Sequence, residues 1–338
     1  MKRRAVIEEA VGETRAAVYE GKKLTELYTW RWSDKGKPRA GDIFSGRVSR
    51  IEPSLGAAFV ELGFGADGFL KFSNAPAAPR LTEGKYIKVF VTRDAEPGKG
   101  PILKFEDMAE GTHKGPIKSK TLREFLAERY AGINFDQAAV NSVDEAVESE
   151  LAISGGGSIA IERTRALTAI DVDKGRANSG FEVSLAACEL IASQIRLRGL
   201  GGLFVVDFPN LRQVKQREKI YAALQKACEG DPEPIKIAPM SRFGTIEMTR
   251  AKTRLSLDET LTDKYGEPTA ETLAIRGLRQ LEREGRASGG AKLMLTLPKA
   301  AFEWLGDDMI GWRDVMTERL GARFTVAQGE SVSVEADR

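Results

Sequence analysis

The 338-residue sequence predicts an α/β domain combined with a small closed β-barrel and a short N-terminal strand piece. Three patterns carry that expectation. Between residues 159 and 207, strand-like apolar runs alternate with a segment of helical apolar spacing, the order of an α/β layer. Between residues 41 and 92, short alternating strands are broken by glycines, the pattern of a small barrel. Ahead of both, residues 4–7 and 14–19 read as a β-hairpin.

Taken in order, residues 1–36 hold that hairpin, with Gly21 and Lys22 turning into a third strand over 24–30. Three strands bury too little to be stable alone, so the piece needs a partner, which we place within 121–153. Residues 37–105 form the barrel, with strands over 41–48, 57–62, 68–70 and 86–92. Residues 106–153 are a connector with one helix over 121–129 and another over 141–151. Residues 154–255 are the α/β domain. It opens on the glycine turn 154–158 and continues through strands over 159–161 and 167–173, a helix over 184–197 and a strand over 203–207. A basic helix over 213–228 and a strand over 235–237 follow, and 241–252 completes the unit. Residues 256–338 first lose apolar density, then recover it at 293–297, 302–305 and 324–334, which suggests a small α+β module.

Composition removes several chemistries. No stretch approaches the roughly 18 apolar residues of a membrane helix, and Lys2, Arg3 and Arg4 lead into Glu8, Glu9 and Glu13 rather than a signal-peptide core. The expectation is a cytoplasmic protein with no membrane partner. The 51 basic and 49 acidic residues nearly cancel, so any basic surface is local. The only histidine is His113, which rules out the zinc-protease helix motif and any scheme that pairs a His base with a His ligand. Cys188 and Cys228 fall in helical segments as small buried hydrophobes, and neither a disulfide nor a zinc site is expected of them.

What remains is carboxylates, cations and metal ions. In the strand 168–173, period-two alternation puts Asp171 and Asp173 on one face. The continuous apolar run 203–206 reads as a buried strand and ends on Asp207. A connecting helix through Leu185, Cys188, Ile191 and Ile195 would make the two strands neighbours, with Asp171 and Asp207 one strand spacing apart, about 5 Å. Carboxylates that close repel unless a cation lies between them, and Mg²⁺ suits one or two carboxylates plus a phosphate. Capping of the following loops accounts for the same aspartates equally well. Arg163, Arg165, Lys174 and Arg176 flank the first pair, and Arg212, Lys215, Arg217 and Lys219 follow Asp207. Beside an acidic pocket such residues can line a phosphate track. In the barrel, Phe59 and Phe69 sit among Arg47, Arg50 and Lys71, a combination that grips single-stranded nucleic acid or simply fills a core.

Four stretches resemble the bacterial ribonuclease E/G family. They are Gly46 to Gly63 with Gly68-Phe69-Leu70, Ser154-Gly155-Gly156 with Ile161 to Asp173, Arg196 to Phe208, and Ser241 to Arg250, all in the family's order. The resemblance implies an S1/OB-type RNA-binding barrel, a DNase I-like α/β nuclease domain and a partial RNase H-like N-terminal piece. It implies an endoribonuclease acting on single-stranded, A/U-rich RNA in rRNA processing or mRNA decay. Catalysis would fall to Asp171, Asp207 and Asp173, with Mg²⁺ or Mn²⁺ on Asp171 and Asp207. RNA contacts would fall to Phe59, Phe69 and Lys99, beside Arg47 and Arg176.

The departures are equally specific. Asp173 stands where members have Asn, and an aspartate there repels the scissile phosphate. No cysteine occurs in 258–268, where the zinc link joining protomers would fall, so neither zinc nor a zinc-linked dimer is expected, and the sequence sets no oligomeric state. The connector is too short for the region that senses a 5′-monophosphate, and Pro234 falls where a sensor arginine sits in members. Cleavage is therefore expected to ignore the 5′ end. A rival expectation is a non-catalytic AU-rich RNA-binding protein of the same family.

Overall fold

The computed structural model describes residues 2–75, 81–96, 98–211 and 213–337. The chain divides into two units, one of residues 36–132 and 148–256, the other of 1–35, 133–147 and 257–338.

The first unit holds the barrel and the α/β sheet. The barrel closes because strand Ile43–Glu52 pairs with Tyr86–Arg93 on one side and Ala57–Glu61 on the other, while Gly68–Lys71 and Ile102–Met108 complete the ring. Phe44, Val48, Val60, Leu70, Ile87, Val89, Val91 and Leu103 fill it. The sheet runs further than the sequence reading placed it: Ile102–Met108 is a full barrel strand and Gly115–Lys118 adds to Ile43–Glu52 beyond the expected end at 105. Helix Leu122–Arg129 starts on a capping box, Thr121 with Glu124.

The α/β sheet has six strands in the order Glu150–Ala152, Ser158–Arg163, Thr168–Asp173, Gly202–Asp207, Thr245–Arg250, Ile235–Ile237. Helix Gly180–Arg198 joins its two parallel strands, starts with the Ser179 hydroxyl accepting from the Glu182 amide and stops at Gly199 in the left-handed region. One sheet face, Ile159, Ile161, Ile170, Val172, Phe204, Val206, Ile246 and Met248, packs on that helix and on Val214–Ala227 through Val183, Ala187, Ile191, Ile195, Ile220 and Leu224. The helix expected over 141–151 is a correction. Only Ser142–Glu145 is helical, and Glu150–Ala152 is an edge strand, because the positive-φ glycines 155, 156 and 157 fold it back onto Ser158–Arg163.

In the second unit, strands Arg3–Ala10, Glu13–Glu20 and Lys23–Arg31 form a meander, and Asn134–Gln137 pairs in parallel with the first of them. Residues 257–338 belong to this same unit. Their long helix, Ala270–Ala287, packs Ala274, Leu278 and Leu281 against strand Lys292–Pro298 and helix Trp312–Leu320. Its other side sends Arg279 to Glu8 at 2.6 Å and to Asp144 at 3.0 Å. Arg15 completes the cluster, at 2.5 Å from Glu13 and 2.6 Å from Asp144. Burial alone would raise the Asp144 carboxyl, but hydrogen bonds and charge from Arg15, with Arg279 and Arg276, hold it down to about 2. Among the described residues no helix is long and apolar enough to cross a membrane.

Candidate nucleic-acid interface and acidic site

The barrel's outer surface is built by alternation. Phe59 and Phe69 face one another across the ladder and point away from the core, because Ala58, Val60 and Leu70 take the inward positions. Their rings meet edge to face at 5.5 Å, and the Arg50 guanidinium lies 4.4 Å over Phe59. They line a groove of about 1130 Å³ together with Lys71, Asn74, Arg93 and Lys99. Lys99 reaches it on a turn in which residues 96 and 99 exchange backbone hydrogen bonds of 3.0 and 2.8 Å. Next to it Gly100 is indispensable, since a Cβ there would stand 1.8 Å from the Asp67 carbonyl oxygen. Asp67, an acid on the groove wall, is engaged by the Ser49 hydroxyl at 2.5 Å.

Of the residues expected to touch RNA, the structure gathers Phe59, Phe69 and Lys99 here. Arg47 does not line this groove; it stands in register with Glu61 and Tyr86, and its charge acts on Glu61. Arg176 is exposed on the loop after Thr168–Asp173. Arg93, Asn74 and Ser73 line the groove without having been singled out from the sequence, where single polar residues on strand ends and short turns give no pattern.

The α/β sheet leaves its second face open, and the acidic residues collect on it. Thr168–Asp173 and Gly202–Asp207 run parallel with Asp171 directly beside Asp207, a lateral separation of about 4.8 Å between strands. Asp173 lies two residues on, toward the carboxyl edge, and accepts from the Gly175 amide at 2.9 Å. All three carboxylates are exposed, and among the described residues none of them makes an ion pair. The Asp171 carboxyl is raised above its ordinary value, first by partial desolvation, then by the charges of Asp207 and Asp173. Loops at this edge carry Lys174, Arg176 and Arg242. Arg212 lies outside the described residues. The basic helix Val214–Ala227 packs behind the sheet, on the face away from the aspartates.

Two adjacent exposed carboxylates offer only oxygen ligands, which fits a hard divalent cation that keeps waters and takes a phosphate. Among the described residues no group of three or more His, Cys, Asp or Glu is placed to hold a metal, so protein ligands alone would not complete its shell. Cys188 is buried and its thiol pushed up to about 12, Cys228 is half-buried and pushed up to about 11, each chiefly by burial.

Known proteins line up with these two regions. Residues 37–99 match the S1 RNA binding domain and residues 114–253 the Ribonuclease E/G family. Ribonuclease E of Escherichia coli strain K12 is 39% identical over 126 residues, 35% of this chain and 12% of that protein. The chloroplastic ribonuclease E/G-like protein of Arabidopsis thaliana is 38% identical over 128 residues, 34% of this chain and 14% of that one. Ribonuclease G of Salmonella typhimurium strain SL1344 is 28% identical over 195 residues, 53% of this chain and 40% of that one. The matched stretch spans less than half the length of each of these relatives.

Proposed function

Starting from a chain that carries a ribonuclease E/G domain and an S1 domain, we propose that it is an endoribonuclease of RNA processing or decay in the cytoplasm, cutting single-stranded, A/U-rich RNA. The observation that carries this reading is the parallel register that sets Asp171 beside Asp207 on an open sheet face, in the same unit as the aromatic and cationic groove. The groove binds bases on Phe59 and Phe69 and phosphates on Lys99 and Arg93. Asp171 and Asp207 would hold Mg²⁺ or Mn²⁺, which when bound would supply activation of a water and charge compensation at the phosphate. Such a cation would relieve the charge of Asp207, which after partial desolvation is the next cause raising the Asp171 carboxyl. Arg176 and Lys174 at the same edge neutralise flanking phosphates. A DNase I-like fold for the α/β domain and a partial RNase H-like one for residues 1–36 with a partner within 121–153 belong to the same proposal.

One observation favours a second reading, an A/U-rich RNA-binding protein that no longer cuts. Asp173 adds a third charge where a scissile phosphate would sit, and its carboxylate is committed to the Gly175 amide. The deciding experiment is cleavage of a labelled A/U-rich single strand with Mg²⁺, with EDTA, and by Asp171→Asn and Asp207→Asn chains, beside binding of the same strand. Cutting that disappears in all three while binding persists supports the nuclease. Tight binding with no metal-dependent cutting selects the second reading.

A further inference from the structure

The turn 241–244, which leads into strand Thr245–Arg250, holds the most exposed aromatic ring among the described residues of this unit. Phe243 is 77% exposed, and the Arg242 guanidinium lies 4.8 Å over its ring. We propose that Phe243, backed by Arg242, is a stacking platform for one RNA base next to the phosphate that Asp171 and Asp207 address; this rests on the nuclease reading above.

Position comes first. Strand Thr245–Arg250 pairs antiparallel with Gly202–Asp207, and Thr245 is the residue opposite Asp207. Phe243 is therefore two residues from the ladder position that faces a proposed metal ligand, at the carboxyl edge of the parallel strands, where open α/β sheets bind ligands. The turn also runs beside the backbone just past Asp207. Gly244 has φ +93°, and a Cβ there would lie 3.5 Å from the carbonyl oxygen of Phe208, the residue after Asp207.

Stiffness comes second. The Ser241 amide donates to the Thr245 carbonyl at 2.8 Å and the Gly244 amide to the Ser241 carbonyl at 3.2 Å. The Phe243 amide donates to the Ser241 hydroxyl at 3.2 Å, and that hydroxyl is 2.8 Å from the Thr245 hydroxyl. A backbone held this firmly leaves only the ring itself to be ordered when a base arrives. A lone exposed aromatic on a protein surface is ordinary. A flat ring under a guanidinium, on a hydrogen-bonded turn beside paired carboxylates, has the parts single-stranded RNA uses: a π-face for the base and a cation for its phosphate. Stacking reads no base edge, so the platform places the strand without choosing its sequence.

The test uses the full chain and a single-stranded RNA in which 2-aminopurine is moved one nucleotide at a time, bound in EDTA so that nothing is cut. The expected map has quenching at the nucleotides held by Phe59 and Phe69 and, separately, at one nucleotide beside the cleavage site. Phe243→Ala should remove the second signal alone, and Phe243→Trp should keep it. In Mg²⁺, Phe243→Ala should lower kcat/KM about tenfold, and an abasic nucleotide at that position should do the same to the wild type and nothing more to Phe243→Ala. An unchanged map in Phe243→Ala overturns the proposal, as does uniform loss at all positions with no rescue by Trp, which would mean the ring only supports the fold. A Phe243-dependent signal in a chain that cuts no RNA under any metal condition would sustain the stacking role and sink the nuclease reading.

Discussion

Two acidic clusters of this chain are arranged in opposite ways. Asp144, Glu8 and Glu13 are held by Arg15 and Arg279 at 2.5 to 3.0 Å, with Arg283 adding 3.0 Å to Glu8. Asp171, Asp173 and Asp207 are exposed and share a face without a cation among the described residues. The first arrangement lowers a carboxyl to about 2, and the second raises one. Folding tolerates a buried carboxylate by pairing it. A cluster left open and self-repelling is where the proposed function places a cation.

The largest effect that tests this contrast is catalytic. Asp171→Asn or Asp207→Asn should cost about a thousandfold or more in cleavage rate, since metal-assisted charge stabilisation is worth several kcal/mol, with RNA affinity unchanged; equal activity would end the comparison. On the structural side, Arg15→Met leaves Glu13 and Asp144 short of a buried partner. It should lower stability by about 3–5 kcal/mol in urea unfolding, with RNA binding by the groove intact. Smaller again, Phe59→Ala and Phe69→Ala should each weaken binding of a single strand by about 1–3 kcal/mol in a titration followed by anisotropy.

The pH dependences should differ in sign. Asp171 has a raised carboxyl in the folded chain, so its ionisation opposes folding. Asp171→Asn should raise the unfolding midpoint at pH 7, and the gain should fade as pH drops toward 3.8. Asp144 has a lowered carboxyl, so its contribution is present above about 4 and lost as pH falls toward 2. Asp144→Asn should therefore lower the midpoint at pH 7, and that deficit should shrink only in the acid range. The smallest effect is none at all: cleavage of 5′-monophosphate and 5′-hydroxyl RNA should proceed at the same rate, and a several-fold preference would restore a 5′ sensor to this chain.

The acidic face was legible in the sequence because strand alternation is a strict rule. Two-residue spacing puts Asp171 and Asp173 on one face without coordinates, whereas the place of Asp207 beside Asp171 hung on the two strands being neighbours, which the register shows. The long helix Ala270–Ala287 was missed although Ala274, Leu278 and Leu281 recur at helical spacing on its buried face, because the stretch 256–292 as a whole is poor in apolar residues. Gly277 and Gly285 let it approach Leu295, Leu297 and Leu320, and Arg279 is buried to meet acids far away in sequence, so none of these three adds to its apolar count. The turn 241–244 appeared in the sequence only as part of a resemblance, because its exposure is a property of the hairpin and not of the residue types.

The charged cluster of the second unit also sets an order of events during synthesis. Arg15 and Glu13 leave the ribosome early, whereas Arg279 is made more than 260 residues later. At the usual 5–20 residues per second that delay is roughly 13 to 53 s. For that interval the N-terminal meander and Asn134–Gln137 hold their acids and Arg15 without the helix that completes the cluster, while residues 36–132 and 148–256 are free to fold. A chain truncated after residue 256 should therefore show a protease-resistant barrel and α/β sheet, with residues 1–35 digestible.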